Sequence, residues 1–209
     1  MTFAVGIFDL FTYAIPGSLH LALVAYVAAR LGWLDVGKLH DIPSVLLIVG
    51  AAIASYLIGH CTYGLGTLVD RISPLWRSRS HHFRTSFVSK VPAAKDRPYV
   101  QAHPTLLLAA ADLHNRDAAA AFIRLRALGL MLRNAGVAMV LALCVALIEV
   151  VIGPHRLVAA GAAVFLLLAF CGSVVQNYLL RNWANLRTLE LCYWIPDIDE
   201  KIAAANERP

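Results

Sequence analysis

Charge is what this chain has least of. Of its 209 residues only 15% are Asp, Glu, Lys or Arg, against 59% apolar, whereas a soluble domain carries about a quarter charged and about half apolar residues. So few charges cannot clothe a globule of this size in polar surface. Water alone is therefore excluded as its solvent, and the mean hydropathy of +0.67 agrees. Cysteine is sparse and unpatterned. Cys61, Cys144, Cys171 and Cys192 stand apart with no C-x-x-C, which argues against a disulfide framework or a zinc ribbon and reads as small apolar filler. Catalytic signatures are lacking as well: there is no G-x-x-x-x-G-K-S/T, no G-x-S-x-G and no H-E-x-x-H. Nothing sets a nucleophile beside a base, so the chain does not read as an enzyme, and neither a cofactor nor a metal is expected. The histidines at 81, 82, 103 and 114 match no zinc spacing. "PDIDE" at 196–200 reads as a helix start with acids in its first turn rather than as a calcium loop.

What the chain has in abundance is apolar length. Four windows, Leu10–Ala29, Pro43–Val69, Asn134–Gly153 and Leu157–Leu180, each reach the roughly 20 apolar residues that cross a bilayer as a helix. Their one formal charge is Glu149. They lack the period-two alternation of barrel strands, so the expected fold class is all-α, with four transmembrane helices. The first window is preceded by "MTFAVGIFD", which offers an acid where a secretion signal carries bases, so the segment is expected to be kept.

Lys and Arg are distributed unevenly. Eleven lie between the second and third windows and four follow the last, against three in the two remaining connections. The positive-inside rule then places the middle region and both termini in the cytosol of a multi-pass protein of the cell (inner) membrane.

Organisation follows from these windows: a hairpin of two spans (1–69), a basic cytosolic region (70–116), two long helices (117–194) and a tail (195–209). The run from Asp117 to Gly153 has no breaker beyond two glycines, and Asp117 is a natural cap. About 37 residues at 1.5 Å each give roughly 55 Å, more than a bilayer requires. The fourth span also continues as helical pattern, until Pro196. Both are expected to extend into the cytosol as a stalk. On that extension Leu186, Leu189, Cys192 and Tyr193 form a stripe with Trp183 at its start, a contact surface for the run 105–113, for the other stalk or for another subunit.

Small residues recur every four positions (Ala51, Ser55, Gly59; Ala138, Ala142, Ala146; Ala169, Ser173, Asn177). Such rows let helices approach closely in lipid, within one four-helix unit and between subunits of a homo-oligomer.

Polar groups at membrane depth are candidates for pore lining or gating. Glu149 shares the small-residue face of its span and is read either as a pore-mouth acid or as an interfacial acid paired with Arg156. Asp9 is a pore acid or an acid on a helix dipole. His20 and His60 are satisfied hydrogen-bonding groups, pore lining or titrating gates. In "RISPLWRSRSHHFRTSFVSK" the bases Arg77, Arg79, Arg84 and Lys90, with His81 and His82, interleave with Trp76, Phe83 and Phe87. That pattern suits anionic lipid, or a nucleotide whose phosphates meet Arg and whose bases stack on rings, or a loop that only fixes orientation.

"FDLFTYAIPG" at 8–17, "GH" at 59–60 and the basic inner loop resemble small four-span bacterial membrane proteins of anti-phage defence, the Hailong-type channel subunits. The resemblance implies a homo-oligomeric channel controlled from its cytosolic side by a nucleotide polymer that a soluble signalling enzyme would make. Two other classes compete with it: a scaffold whose stalk docks a soluble partner, and a lipid-headgroup enzyme using His103, Asp112 and His114.

Overall fold

The structure is a computed structural model that describes residues 2–35, 37, 41–72 and 82–206. Among these residues the only regular structure is helical. The helices are α1 (Thr2–Arg30), α2 (Ser44–Ile72), α3 (His82–Lys90), α4 (Pro98–Gln101), α5 (Pro104–His114), α6 (Arg116–Ile152), α7 (Arg156–Tyr193) and α8 (Ile198–Asn206), with a 3-10 turn at Pro92–Ala94. Four of them are long and apolar enough to cross a membrane: α1 over Thr12–Arg30, α2 over Ser44–Thr67, α6 and α7. The expected length of the last two is met, at 37 and 38 residues. The cap of α6 differs from expectation. Asn115 Oδ1 accepts the Ala118 N–H at 3.1 Å, and Asp117 sits in the first turn instead.

The chain divides into two compact units: Met1–Ile72 with Ala127–Asn177, and Ser73–Arg126 with Tyr178–Pro209.

In the first unit the buried positions are held by small and polar residues: Thr12, Pro16, Gly17, His20, Ser55, Gly59, Asn134, Ala135, Ala138, Ala163, Ser173 and Asn177. Large apolar residues such as Ile48, Leu57, Val151, Phe165 and Leu168 face outward. The close approach of α1 and α2 explains the glycines. A Cβ on Gly17 would strike the Ser55 carbonyl, and one on Gly59 would strike the Tyr13 carbonyl. On α6, a Cβ at Gly136 would lie 3.3 Å from Ser173 Oγ of α7. The small-residue rows thus serve packing within this chain. Hydroxyls in this unit return to their own helix: Ser18 to the Ile15 carbonyl, Thr62 to that of Ile58, Ser173 to that of Phe170. Polar side chains satisfied this locally are compatible with an apolar surrounding.

The second unit is built the opposite way. Its core joins Phe83, Phe87, Tyr99, Val100, Leu107, Ala111, Leu189, Cys192, Ile195, Ile198 and Ile202. Prolines that look like loop breakers in the sequence begin elements instead: Pro92 the 3-10 turn, Pro98 α4 and Pro104 α5. Proline is suited to that first position, where its missing N–H is not needed. His103 caps α5, with Nδ1 2.7 Å from Thr105 Oγ1 and accepting the Thr105 N–H at 3.4 Å.

Candidate functional site

In the first unit a cavity of about 560 Å³ opens among α1, α6 and α7, near the end where α1 finishes and α6 turns into α7. Its charged feature is a fork. Arg30 Nε donates to Glu149 Oε1 at 2.6 Å and Arg30 Nη2 to Oε2 at 2.8 Å. Two parallel charge-assisted bonds of this length fix both planes and are the strong form of such a pair. Glu149 occupies the last turn of α6, where the carbonyl of its own residue accepts the Gly153 N–H at 2.8 Å. Gly153 is needed there because a Cβ would collide with the Glu149 backbone carbonyl as well as with its carboxylate. Tyr26 and His155 line the same cavity, and apolar side chains of Leu23, Val145, Val158 and Leu166 carry it along the helices.

Glu149 therefore does have a basic partner, but it is Arg30 rather than Arg156. Arg156 is four residues from Ile152 in sequence and begins α7. Arg30, 119 positions away, presents its guanidinium across the helix interface. In the sequence Arg30 stands out only as one of the few bases outside the middle region and the tail.

The other gating candidates are not gathered at this fork. His20 is buried at 5% exposure, and its Nδ1 donates to the Pro16 carbonyl at 2.8 Å, one turn back on the same helix. Its Nε2 is buried without a hydrogen-bond partner among the described residues. His20 is ten residues from Arg30 along α1, roughly 15 Å. His60 lies on α2 in an aromatic group, edge-on to Tyr13 at 4.7 Å between centroids and stacked with Tyr56 at 6.2 Å. Tyr63, at 5.8 Å from Tyr13, completes that group and carries the Arg133 guanidinium over its ring at 5.1 Å. Asp9 falls within α1, but its side chain lies outside what is described. Asn134 is 1% exposed with neither amide atom hydrogen-bonded among the described residues.

The second unit corrects the reading of the basic segment. Phe83 and Phe87, offered as stacking faces for nucleotide bases, sit one helical turn apart on the inner face of α3, at 5% and 0% exposure. They are core, and Phe87 meets Tyr99 edge-on at 6.2 Å. Arg84 Nη2 donates to the carbonyls of Gln101 and Ala102 at 3.2 and 3.1 Å, holding the end of α4. Lys90 pairs with Glu190 at 3.2 Å, a carboxylate that also receives Arg187 at 2.8 Å. Both cations thus have structural work. Arg77, Arg79 and His81 lie outside the described residues, as does the side chain of His82.

The stripe on the end of α7 meets one of the partners expected for it. Leu189 and Cys192 are fully buried and join Leu107 and Ala111 of α5, while Leu186 and Tyr193 pack against the same core. Of its possible partners the run 105–113 is the one the structure brings to it. Trp183 differs, being 53% exposed.

Asp199 was missed in the sequence except as a first-turn acid. It accepts the Tyr99 N–H at 3.1 Å and pairs with Arg97 at 3.0 Å, tying α8 to the start of α4. The Tyr99 phenol has no hydrogen-bond partner among the described residues, and burial pushes its pKa up to about 12, with the nearby Arg97 cation pulling the other way.

Comparison with family models, with curated proteins and with solved structures returned no match.

Proposed function

We propose that this protein is a homo-oligomeric membrane channel or pore-type effector. Its four apolar helices are inserted in the inner membrane of a bacterium, and its termini and second unit face the cytosol. The Arg30–Glu149 fork, placed on a cavity rather than on an outward apolar face, carries this reading. An acid and a base on helices of spanning length are costly in hydrocarbon unless they meet each other or line water, and such residues characteristically mark substrate or ion pathways. The outward array of large apolar side chains supports contact with lipid or with further copies, and the excess of bases between α2 and α6 and after α7 supports the orientation. Control from the cytosolic side by an anionic, nucleotide-like ligand, and a role in anti-phage defence, rest on the resemblance described above and on Arg77 and Arg79. Arg84 and Lys90 are already engaged.

Planar-bilayer recording of the purified protein tests the channel. Unitary currents are expected, with conductance or ion preference altered in Glu149→Gln and Arg30→Gln. Silence across voltage, pH and added cyclic or linear oligonucleotides overturns it.

A second reading is favoured by one observation. Trp183 and Trp194 of the second unit are 53% and 77% exposed, and exposed Trp is characteristic of contact surfaces. In this reading the protein is a membrane scaffold that docks a soluble partner. Co-purification of one defined protein, lost in Trp183→Ala with Trp194→Ala, would select it over the channel.

A further inference from the structure

We infer that the cavity of the first unit is a binding site for one molecule of phosphatidylethanolamine, with its headgroup on the Arg30–Glu149 fork and an acyl chain along the groove behind it. The inference rests on insertion in a bilayer but not on conduction.

The volume of about 560 Å³ falls in the range of small-molecule sites, about 300–1,000 Å³. Its composition is that of an amphiphile site. Charged and polar groups, Arg30, Glu149, Tyr26 and His155, cluster where α1 ends and α6 turns into α7. From there the lining becomes wholly apolar. Leu23 and Ala142 lie two turns inward from Arg30 and Glu149, and Leu166 lies nearly three turns into α7, a depth of roughly 10–15 Å. In a spanning helix that order places the fork at headgroup level and the apolar groove in hydrocarbon.

The fork selects the headgroup by its remaining capacity. A guanidinium has five N–H donors, and two go to Glu149. A carboxylate has about four acceptor positions; Arg30 takes two and the Tyr26 hydroxyl also hydrogen-bonds it, which still leaves acceptor capacity free. What is left is a donor set and an acceptor set side by side, of opposite sign and with no net charge between them. A phosphate beside a primary ammonium complements both at once. An anionic headgroup such as phosphatidylglycerol offers Glu149 only neutral hydroxyl donors, so the carboxylate gains no opposite charge and the lipid's own net charge is left uncompensated by a fork that is neutral overall. A trimethylammonium has no N–H to give. The side chains of Arg30 and Glu149 are 45% and 17% exposed, so the fork is reachable from the cavity while still held in place.

Native mass spectrometry of the detergent-purified protein, exchanged against phosphatidylethanolamine, phosphatidylglycerol or phosphatidylcholine of matched chains, tests this. One phosphatidylethanolamine per chain is expected to survive delipidation, favoured about tenfold or more over the other two, as befits a site built to hydrogen-bond its ligand. Glu149→Gln should erase that preference. Ala162→Trp, which fills the apolar groove and leaves the fork intact, should remove the adduct, whereas Val164→Trp, on an outward position outside the cavity lining, should keep it. Equal retention of the three lipids, a preference for phosphatidylglycerol, or an adduct unchanged in both Glu149→Gln and Ala162→Trp overturns the inference. The readout needs no current: a silent protein that keeps its lipid removes only the channel, and a conducting protein that does not discriminate removes only the lipid site.

Discussion

The two units bury opposite kinds of residue. In the first, Gly17, Ser55, Gly59, Asn134, Ala138 and Ser173 point inward while Phe165, Leu168 and Val151 point outward; in the second, Phe87, Tyr99, Leu107 and Leu189 are inside and Lys90, Arg97 and Arg187 are at the surface. The difference shows which force assembles each unit. Removing large apolar surface from water drives the second, as in any soluble core. In the first, large side chains gain nothing by turning inward if their surroundings are themselves apolar, so close backbone approach through small residues and local hydrogen bonds take over.

The sharpest way to break this contrast is to crowd the glycine crossing. Gly59→Leu should abolish the α1–α2 hairpin, costing more than about 4 kcal/mol, because the new side chain meets the Tyr13 backbone and not a flexible tip. Thermal unfolding in detergent reads the effect, and Gly50→Leu, with nothing within 4 Å of its Cβ, should leave the melting temperature unchanged or raised.

Next in size is a matched pair of phenylalanines. Phe87→Ala should destabilise the second unit by about 3–5 kcal/mol. Phe165→Ala, at 71% exposure, should shift detergent stability by less than about 0.5 kcal/mol. Equal effects would mean that the first unit also relies on an ordinary apolar core.

Tyr99 gives a smaller effect with a sign. Its buried hydroxyl lacks a hydrogen-bond partner among the described residues, so Tyr99→Phe should stabilise the second unit, by about 1 kcal/mol. The folded state raises this pKa to about 12, which means that it prefers the neutral phenol. That contribution is complete below about pH 10, the ordinary tyrosine value, and is lost as pH rises towards 12. An alkaline unfolding series should show this loss in the parent and less of it in Tyr99→Phe.

Smallest is Lys90→Ala. Its ion pair with Glu190 is solvent-exposed, with 59% exposure on the lysine side, and is worth at most about 1 kcal/mol. If that substitution abolished oligonucleotide-dependent current without changing stability, Lys90 would be a ligand contact despite its pair, and the second unit would be a receptor rather than only a packed support.

Much of the frame was legible in the sequence. Four apolar windows, the extra length of the last two and the small-residue rows all follow from composition and periodicity, which act over neighbouring residues. The basic segment misled for a related reason. Arg and aromatic residues interleave at 76–90 both when rings face a ligand and when a short helix buries one face, and the i, i+4 spacing of Phe83 and Phe87 decides between these only once a partner surface exists. That surface comes from Tyr99 and its neighbours in the core, which follow Pro92 and Pro98 in the chain. Glu149 was visible as the single acid within a window, and its partner was nearly so. Topology alone puts the end of span one and the end of span three on the same side, which names Arg30 as well as Arg156.

The sequence by itself determined which stretches are helices of spanning length, how far the two long ones run, and that bases are concentrated between the second and third spans and after the fourth, because hydropathy, propensity and charge are properties of local segments. Only the tertiary structure decided that Arg30 holds Glu149, that Phe83, Phe87 and Leu189 are core, and that Asp199 bridges Arg97 and the Tyr99 amide. Each of these joins residues about a hundred positions apart or depends on which face of a helix meets a neighbour, and a linear pattern does not encode that choice until the chain has packed.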